Sequence, residues 1–206
     1  MDCNCPNPTE LSEIGNVDCG VDLNQVQRIA VQRGGAYEFD ESASPTPQDV
    51  KVLSVWQALK TATDDTKIVF TPMIGGDPII EPGEAITVGG GDNSTLNGVE
   101  EVQGVNPSKF SCVFKSLPAT IEKQMKSLMC EKNLVVYLFL QGGKVAVINA
   151  GTGVYKGFTA QSLFVSDRGN QGFGTQDAVN FSFSFPAGWS DDLEIVKLNF
   201  NPFTDI

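Results

Sequence analysis

The segment from residue 179 to residue 185 constrains the fold more than any other part of this sequence. Apolar side chains alternate there with small polar ones, and a period of two is typical of a β-strand that buries one face. A helix would distribute the same rings around its axis. The stripe of Phe181, Phe183 and Phe185 therefore predicts the inner face of a sandwich or barrel sheet. A ligand pocket lined by these rings is the alternative interpretation.

Strand-like patterns recur along most of the chain, and roughly nine strands are predicted in all. The almost wholly apolar run 134–140 indicates a strand buried on both faces, with 144–148 as its hairpin partner. We expect residues 99–103 to pair with residues 109–115. Further strands are expected at 25–33, 67–71, 85–88, 162–166 and 193–200.

Two segments carry apolar residues at helical spacing, 49–62 and 118–132. The second also has a proline at a position where the first turn of a helix tolerates it. Its Glu122 and Lys126 form a favourable pair one turn apart. The residues that predict the buried faces are Leu53, Trp56 and Leu59 in the first helix, and Ile121, Met125 and Leu128 in the second.

These elements predict a mainly β (α+β) fold for residues 23–206, as a single domain. It is a β-sandwich or barrel with one or two packed helices and a long Gly/Pro-rich hairpin loop at about residues 72–98. The polar residues 1–22 are predicted to form an extended N-terminal arm, since they hold few apolar groups to anchor them.

Composition excludes several classes of function. The formal net charge is −11 and the cations are not clustered, so specific nucleic-acid binding is not expected. The chain has no histidine, which removes Ser-His-Asp and Cys-His catalysis and histidine metal sites. It has neither an apolar run long enough to span a membrane nor a secretory signal, so we expect no membrane partner.

Candidate motifs for chemistry are weak. The glycine run 89–91 lacks the lysine and the following helix of a phosphate-binding loop. The pair Asp191 and Asp192, with nearby Glu194, lacks the spacing of a calcium loop and is interpreted as a solvated turn. No catalytic residue and no cofactor is therefore predicted, and we expect that the protein is not an enzyme.

Five cysteines make an odd set. Cys3, Cys5 and Cys19 could supply part of a zinc site, which usually takes four ligands. The alternative is reduced thiols, with Cys112 and Cys130 as small core residues. Trp189 follows a glycine in a predicted turn, and so is a candidate for contact with a neighbouring molecule.

The order of these elements is similar to that in virion structural proteins of tailed phages of Bacteroidota. Four segments carry the resemblance: 26–33, 89–98, 188–193 and 199–205. Major tail tube proteins are the most similar in architecture, through their size, a β-sandwich or barrel with one packed helix, and a long loop that reaches a neighbouring subunit. The cysteine-bearing arm and the extra helix at 49–62 depart from that pattern, and leave capsid decoration or a head–tail connector as alternatives.

The resemblance implies a homo-oligomer of stacked rings through which DNA passes, assembled in the host cytoplasm and located in the virion. Its partners would be further copies of itself and other virion proteins. Glu100 and Glu101 are candidates for the lumen, of which at most one should face it, since strand neighbours point in opposite directions. A small acidic ligand-binding domain is the alternative from another class. The interface candidates are Cys3, Cys5, Cys19, Gly89, Gly90, Gly91, Asn93 and Trp189.

Overall fold

The computed structural model of the chain describes residue 23 and residues 25–91 and 94–206. Within these residues the chain forms thirteen β-strands and two α-helices. The predicted arm, residues 1–22, lies outside the described residues. The strands are β1 (Val26–Arg33), β2 (Phe39–Asp40), β3 (Val69–Phe70), β4 (Gly76–Glu81), β5 (Ala85–Val88), β6 (Glu101–Val105), β7 (Ser108–Lys115), β8 (Leu134–Leu140), β9 (Lys144–Gly151), β10 (Val154–Lys156), β11 (Phe158–Val165), β12 (Ala178–Phe185) and β13 (Leu193–Lys197). The helices are α1 (Leu53–Thr61) and α2 (Ala119–Ser127).

Strand β8 lies at the centre of the molecule. It pairs antiparallel with β1 along one edge, and with β9 and β11 along the other. Val136 and Leu138 point into one apolar cluster, whereas Tyr137 and Phe139 point into a second. All four side chains are fully buried. The predicted strand with two buried faces is therefore confirmed, and its two faces join the two halves of the core.

The first cluster fills the space between the β8 sheet and a second sheet of order β11-β12-β7-β4, and β11 joins the two sheets by pairing with both β8 and β12. The predicted phenylalanine stripe of β12 lies in it, and Phe183 stacks on Phe110 of β7 with ring centroids 4.9 Å apart. Phe114 and Phe181 meet edge to face one pair further along. The mainly β, sandwich-like fold with packed helices that the sequence predicted is confirmed.

The second cluster lies on the opposite face of β8, under α1. Trp56 is fully buried there, and its indole N–H donates to the Val50 carbonyl over 2.7 Å. The helix begins at Leu53 and not at residue 49, because the Asp49 side chain accepts a hydrogen bond from the Lys51 amide and holds a turn instead.

Helix α2 packs on the first cluster through the predicted apolar face. Met125 is buried, and Ile121 and Leu128 are partly buried against the same cluster. The helix continues into a 3-10 turn at Leu128–Cys130. The helical segment ends at Cys130, because Glu131 is already extended, and Asn133, with a positive φ of 63°, turns the chain into β8.

One predicted strand pairing is wrong. Strand β6 pairs with β5, not with β7. One edge of β7 is occupied by β12 over all eight residues, and β4 occupies the other. The inward-facing rings of β7 and β12 stabilise the pairing of these two strands. Contacts between the rings contribute more free energy than β7 would gain by pairing with the polar segment before it.

The predicted loop at 72–98 is also more structured than expected. Strand β4, which the sequence did not predict, extends the second sheet through pairs such as Ile80 with Phe110. Pro78 lies at a register shift of this edge strand, between Gly76 and Ile79, where a missing amide hydrogen is tolerated. The short strands β2 and β10, which pair with each other, were missed as well.

Candidate assembly interface

Strands β5 and β6 and the residues that connect them form a hairpin, here called the hairpin arm (residues 84–106). The two strands form a sheet of their own, and neither pairs with another strand of the described residues. At the base, the Asn106 amide donates to the Glu84 carbonyl over 2.8 Å. Gly83 beside it approaches Asn106 so closely that a Cβ would lie 1.7 Å from the carbonyl oxygen. A side chain at residue 83 would therefore displace the arm.

The hairpin arm exposes apolar side chains to solvent. Ile86, Val102 and Val105 retain 45%, 56% and 50% of their full exposure. Leu96 and Val99, near the tip, are exposed as well. A two-stranded hairpin is marginally stable on its own in water. Neither outer edge of the arm pairs with another strand of the described residues. The arm therefore has an apolar surface, and edges open to strand addition, that a protein partner would cover.

The glycine run at the tip has two different roles. Gly89 has a φ of 98°, and a Cβ there would lie 2.4 Å from the Val99 carbonyl oxygen. This glycine is required by the close crossing of the two sides of the arm. Gly90 and Gly91 donate their amides to the Gly98 carbonyl and have open space around them, so either is free to face a neighbour. Asn93 lies outside the described residues.

The two lumen candidates lie on the returning side of the arm. Glu101 is the first residue of β6, opposite Val88, and Glu100 precedes the strand. Both side chains are exposed. The alternation of strand neighbours begins at Glu101, since Glu100 precedes β6 and has no strand partner within the described residues. Their orientation toward a lumen stays a prediction.

Trp189 packs within its own subunit. Its indole is half-buried and stacks on Phe185, with a second edge-to-face contact to Phe158 5.5 Å away. The residue thus closes one end of the first apolar cluster. Its contact with a neighbouring molecule stays a prediction, and only its partly exposed side is available for it.

The cysteines are not brought together in the described residues. Cys3, Cys5 and Cys19 lie outside them. Cys112 is buried in the first cluster, and this burial raises the pKa of its thiol to about 12. Cys130 is exposed at the end of the 3-10 turn, which corrects its predicted place in the core. Among residues 25–91 and 94–206, no cluster of cysteine and carboxylate side chains that could hold a metal ion is found.

A charged cluster joins α2 to the loop between β11 and β12. Glu122 accepts hydrogen bonds from Lys126 at 2.8 Å and from Arg168 at 3.1 Å, and these cations lower the pKa of its carboxyl group. Lys126 also pairs with Asp167. The carboxylates and cations of this cluster pair with one another, so the cluster fixes the loop against α2.

The sequence did not predict the exposed apolar positions of the hairpin arm or the fully exposed Phe173. Residues 85–88 were predicted to form a strand, but a strand prediction does not show whether either face is covered. The signal for Phe173 was present, since Gly172 and Gly174 flank it in a polar segment. A phenylalanine between two glycines is typical of a loop tip, not of a core.

No helix within the described residues is long and apolar enough to cross a membrane.

No protein-family model matches this sequence, and neither does any curated protein. Two solved structures are similar in backbone. One is the tail of an empty gene transfer agent particle with C6 symmetry, at a TM-score of 0.35 and 11% identity over 65% of this chain and 88% of that chain. The other is the virion of a native gene transfer agent particle, at 0.34 and 11% over 61% and 88%. Likeness at this level establishes no shared function.

Proposed function

We propose that this chain is a self-assembling structural subunit of a phage-like tail, most specifically a tail tube protein that forms stacked rings. The hairpin arm carries the proposal. It is a separate two-stranded sheet with exposed apolar side chains, and no other strand of the described residues pairs with its edges; strand addition between subunits uses such a surface.

The arm is suited to assembly because its base is closely packed and its surface exposes apolar side chains. The close approach of Gly83 to Asn106 leaves no room for a side chain at the base of the arm. Beyond that point Ile86 and Val102 face solvent. A neighbouring subunit that covers them removes apolar area from water and adds a strand to an outer edge at the same time.

The assignment to a tube follows the sequence resemblance to major tail tube proteins. A net charge of −11 would keep a lumen from attracting phosphate, so DNA would pass without being held. Replacing the lumen-facing member of Glu100 and Glu101 by lysine should leave assembly intact and slow DNA passage, because the new cation attracts phosphate.

The experiment removes the arm and keeps the core. Residues 86–104 are replaced by Asn-Gly, so that Ala85 and Val105, which are paired in the hairpin, close a two-residue turn. Strand β4 is kept, because it belongs to the second sheet. The expected product is folded and monomeric, whereas the full chain forms rings or tubes in electron micrographs.

A point variant gives the matched control. Val102→Asn removes an exposed apolar side chain and is expected to weaken assembly, whereas Glu101→Gln beside it leaves assembly unchanged. If the shortened chain still forms rings or tubes, the hairpin arm is not the assembly element and the proposal is wrong. A strict monomer of the full chain that binds a small ligand would support the ligand-binding alternative.

A further inference from the structure

Phe173 is the most exposed large apolar residue of the described chain. It lies at the tip of the loop that joins β11 to β12 (residues 166–177), with a relative exposure of 111%. Gly172 and Gly174 flank it with φ angles of 105° and 82°, which only glycine adopts without strain. Exposed aromatic side chains of this kind are typical anchors of protein–protein interfaces.

The loop holds Phe173 in place through its own hydrogen bonds. The Asn170 side-chain amide donates to the Asp177 carboxylate over 2.6 Å. The Thr175 hydroxyl donates to the Gly172 carbonyl over 2.8 Å, which closes the turn around the phenylalanine. A side chain presented by a braced loop loses less conformational entropy when it binds.

The base of the loop is anchored to helix α2. Arg168 pairs with Glu122 at 3.1 Å, and Lys126 pairs with Asp167. These ion pairs hold the loop against the side of α2 that carries Glu122 and Lys126. This places Phe173 in a defined direction relative to the helix.

A cavity of suitable size lies between β3 and α2. Its volume is about 280 Å³. An apolar cavity of roughly 150 Å³ holds a benzene molecule, so this one has room for a phenyl ring and part of its backbone. The apolar side chains that line it are Val69, Phe70, Ile121, Met125 and Leu128.

Phe173 and the cavity lie on different sides of the same helix. Ile121 and Met125 face the cavity, whereas Glu122 and Lys126 face the loop. Each residue turns about 100° around a helix axis, which separates these two faces by more than a quarter turn. The ring and the cavity of one copy are therefore positioned to meet the complementary features of two other copies.

The charges of the two surfaces are complementary. The loop carries Asp167, Asp177 and Arg168, which gives a formal charge of −1 (one cation less two carboxylates). Arg28 is the charged residue at the cavity, where its guanidinium lies 5.1 Å from the centre of the Phe70 ring. Arg28 also donates to the Thr71 and Pro202 carbonyls, which fixes this single cation at the cavity. In a chain of net charge −11, a cavity with one cation in its lining is a favoured place for a loop of net charge −1.

We propose that Phe173 of one copy fills the cavity between β3 and α2 of the next copy, in a head-to-tail contact. The inference rests on the proposed self-assembly, and it adds a second interface that is separate from the hairpin arm. A contact between two different surfaces of identical subunits closes into a ring when its rotation allows, and it otherwise continues as a filament.

The first test removes the phenyl ring of Phe173. Phe173→Ala should raise the protein concentration for half-maximal assembly about 30-fold, as expected for an interface anchor, and Phe173→Leu should restore most of the loss. Phe164→Ala is the matched control, because Phe164 is an exposed phenylalanine on the adjacent strand β11. Equal assembly of Phe173→Ala and wild type would overturn the inference.

The second test locates the contact by disulfide formation. In a background with Cys3, Cys5, Cys19 and Cys130 replaced by serine, one chain carries both Gln171→Cys and Gln124→Cys. Gln171 is exposed and lies two residues from Phe173 in the same loop, so the phenyl ring is kept. Gln124 lines the cavity, so oxidation of the assembled protein should give a ladder of linked species beyond the dimer. Moving the second cysteine to Lys123, on the opposite side of α2, should abolish the ladder.

The pattern of disulfide-linked species distinguishes the head-to-tail contact from other contacts. A ladder that stops at the dimer, or one that forms equally well with Lys123→Cys, would overturn the head-to-tail contact. With the native cysteines retained, a disulfide from Gln124→Cys to Cys3, Cys5 or Cys19 would assign the cavity to the N-terminal segment and would overturn the inference too. If wild-type protein assembles normally and these tests fail, only this inference is wrong; if wild type never assembles, the proposed function fails with it.

Discussion

The indole ring of Trp189 stacks on the ring of Phe185, with centroids 4.3 Å apart and planes 14° from parallel. The contact joins the turn after β12 to the last phenylalanine of the stripe. A residue that the sequence marks as an interface candidate thus also closes the subunit's own core.

Replacing Trp189 by alanine should destabilise the isolated subunit. The half-buried ring and its stacking contact contribute about 2 kcal/mol to the free energy of unfolding, and Trp189→Phe should retain most of that. Phe173→Ala, which removes an exposed ring, should change it by less than about 0.5 kcal/mol. Denaturant unfolding measures both. An unchanged unfolding free energy in Trp189→Ala, together with lost assembly, would make Trp189 an interface residue only.

Replacing Met125 by aspartate should destabilise the subunit by at least about 3 kcal/mol, because it removes a packed side chain and places a carboxyl group in the first cluster. Thr120→Asp on the exposed first turn of α2 is the control, where a carboxylate near the helix N-terminus is neutral or slightly favourable. Thermal unfolding compares them. Equal melting temperatures would contradict the packing of α2 on the sheets.

The contact between α2 and the β11–β12 loop should weaken in acid. Hydrogen bonds from Lys126 and Arg168 lower the pKa of Glu122 in the folded state. Its stabilising contribution is therefore present above the ordinary glutamate pKa, and is lost as the pH falls through the lowered folded value. The melting temperature of Glu122→Gln should lie below that of wild type at about pH 7, and the gap should close near about pH 3. A gap that does not change with pH would contradict the assignment.

Thiol labelling should separate Cys112 from Cys130. In a chain with Cys3, Cys5 and Cys19 replaced by serine, Cys130 should react at once with a thiol reagent, because it is exposed. Cys112 should react only on unfolding, since it is buried and its pKa is raised to about 12. Two rapidly reacting thiols in the native protein would show that the first cluster opens locally.

The sequence predicted those strands and helices whose local periodicity matches the side of the element that is buried. The Phe181–Phe185 stripe, the doubly buried β8 and the helix around Met125 each carry a pattern that only one arrangement satisfies. Strand β4 was missed because Pro78 and Gly76 are typical of a loop, and an edge strand tolerates both.

The candidate interface was less predictable than the core. The glycine run indicated a hairpin tip, but the pairing of β6 with β5 depends on which partners β7 accepts, and the packing of distant rings decides that. Exposure is likewise a property of the whole fold. Val102 and Phe173 have apolar side chains, and nothing in their own segments fixes that both remain in solvent.

A subunit that builds the tube of a phage-like tail lies along the whole length of that tail. Immunogold labelling of the native particle, with antibodies raised against the full chain, measures where the subunit lies. In partly disassembled tails we expect gold particles at regular spacing along the tube. Labelling confined to isolated positions on the capsid shell would contradict the tube and would support capsid decoration in its place.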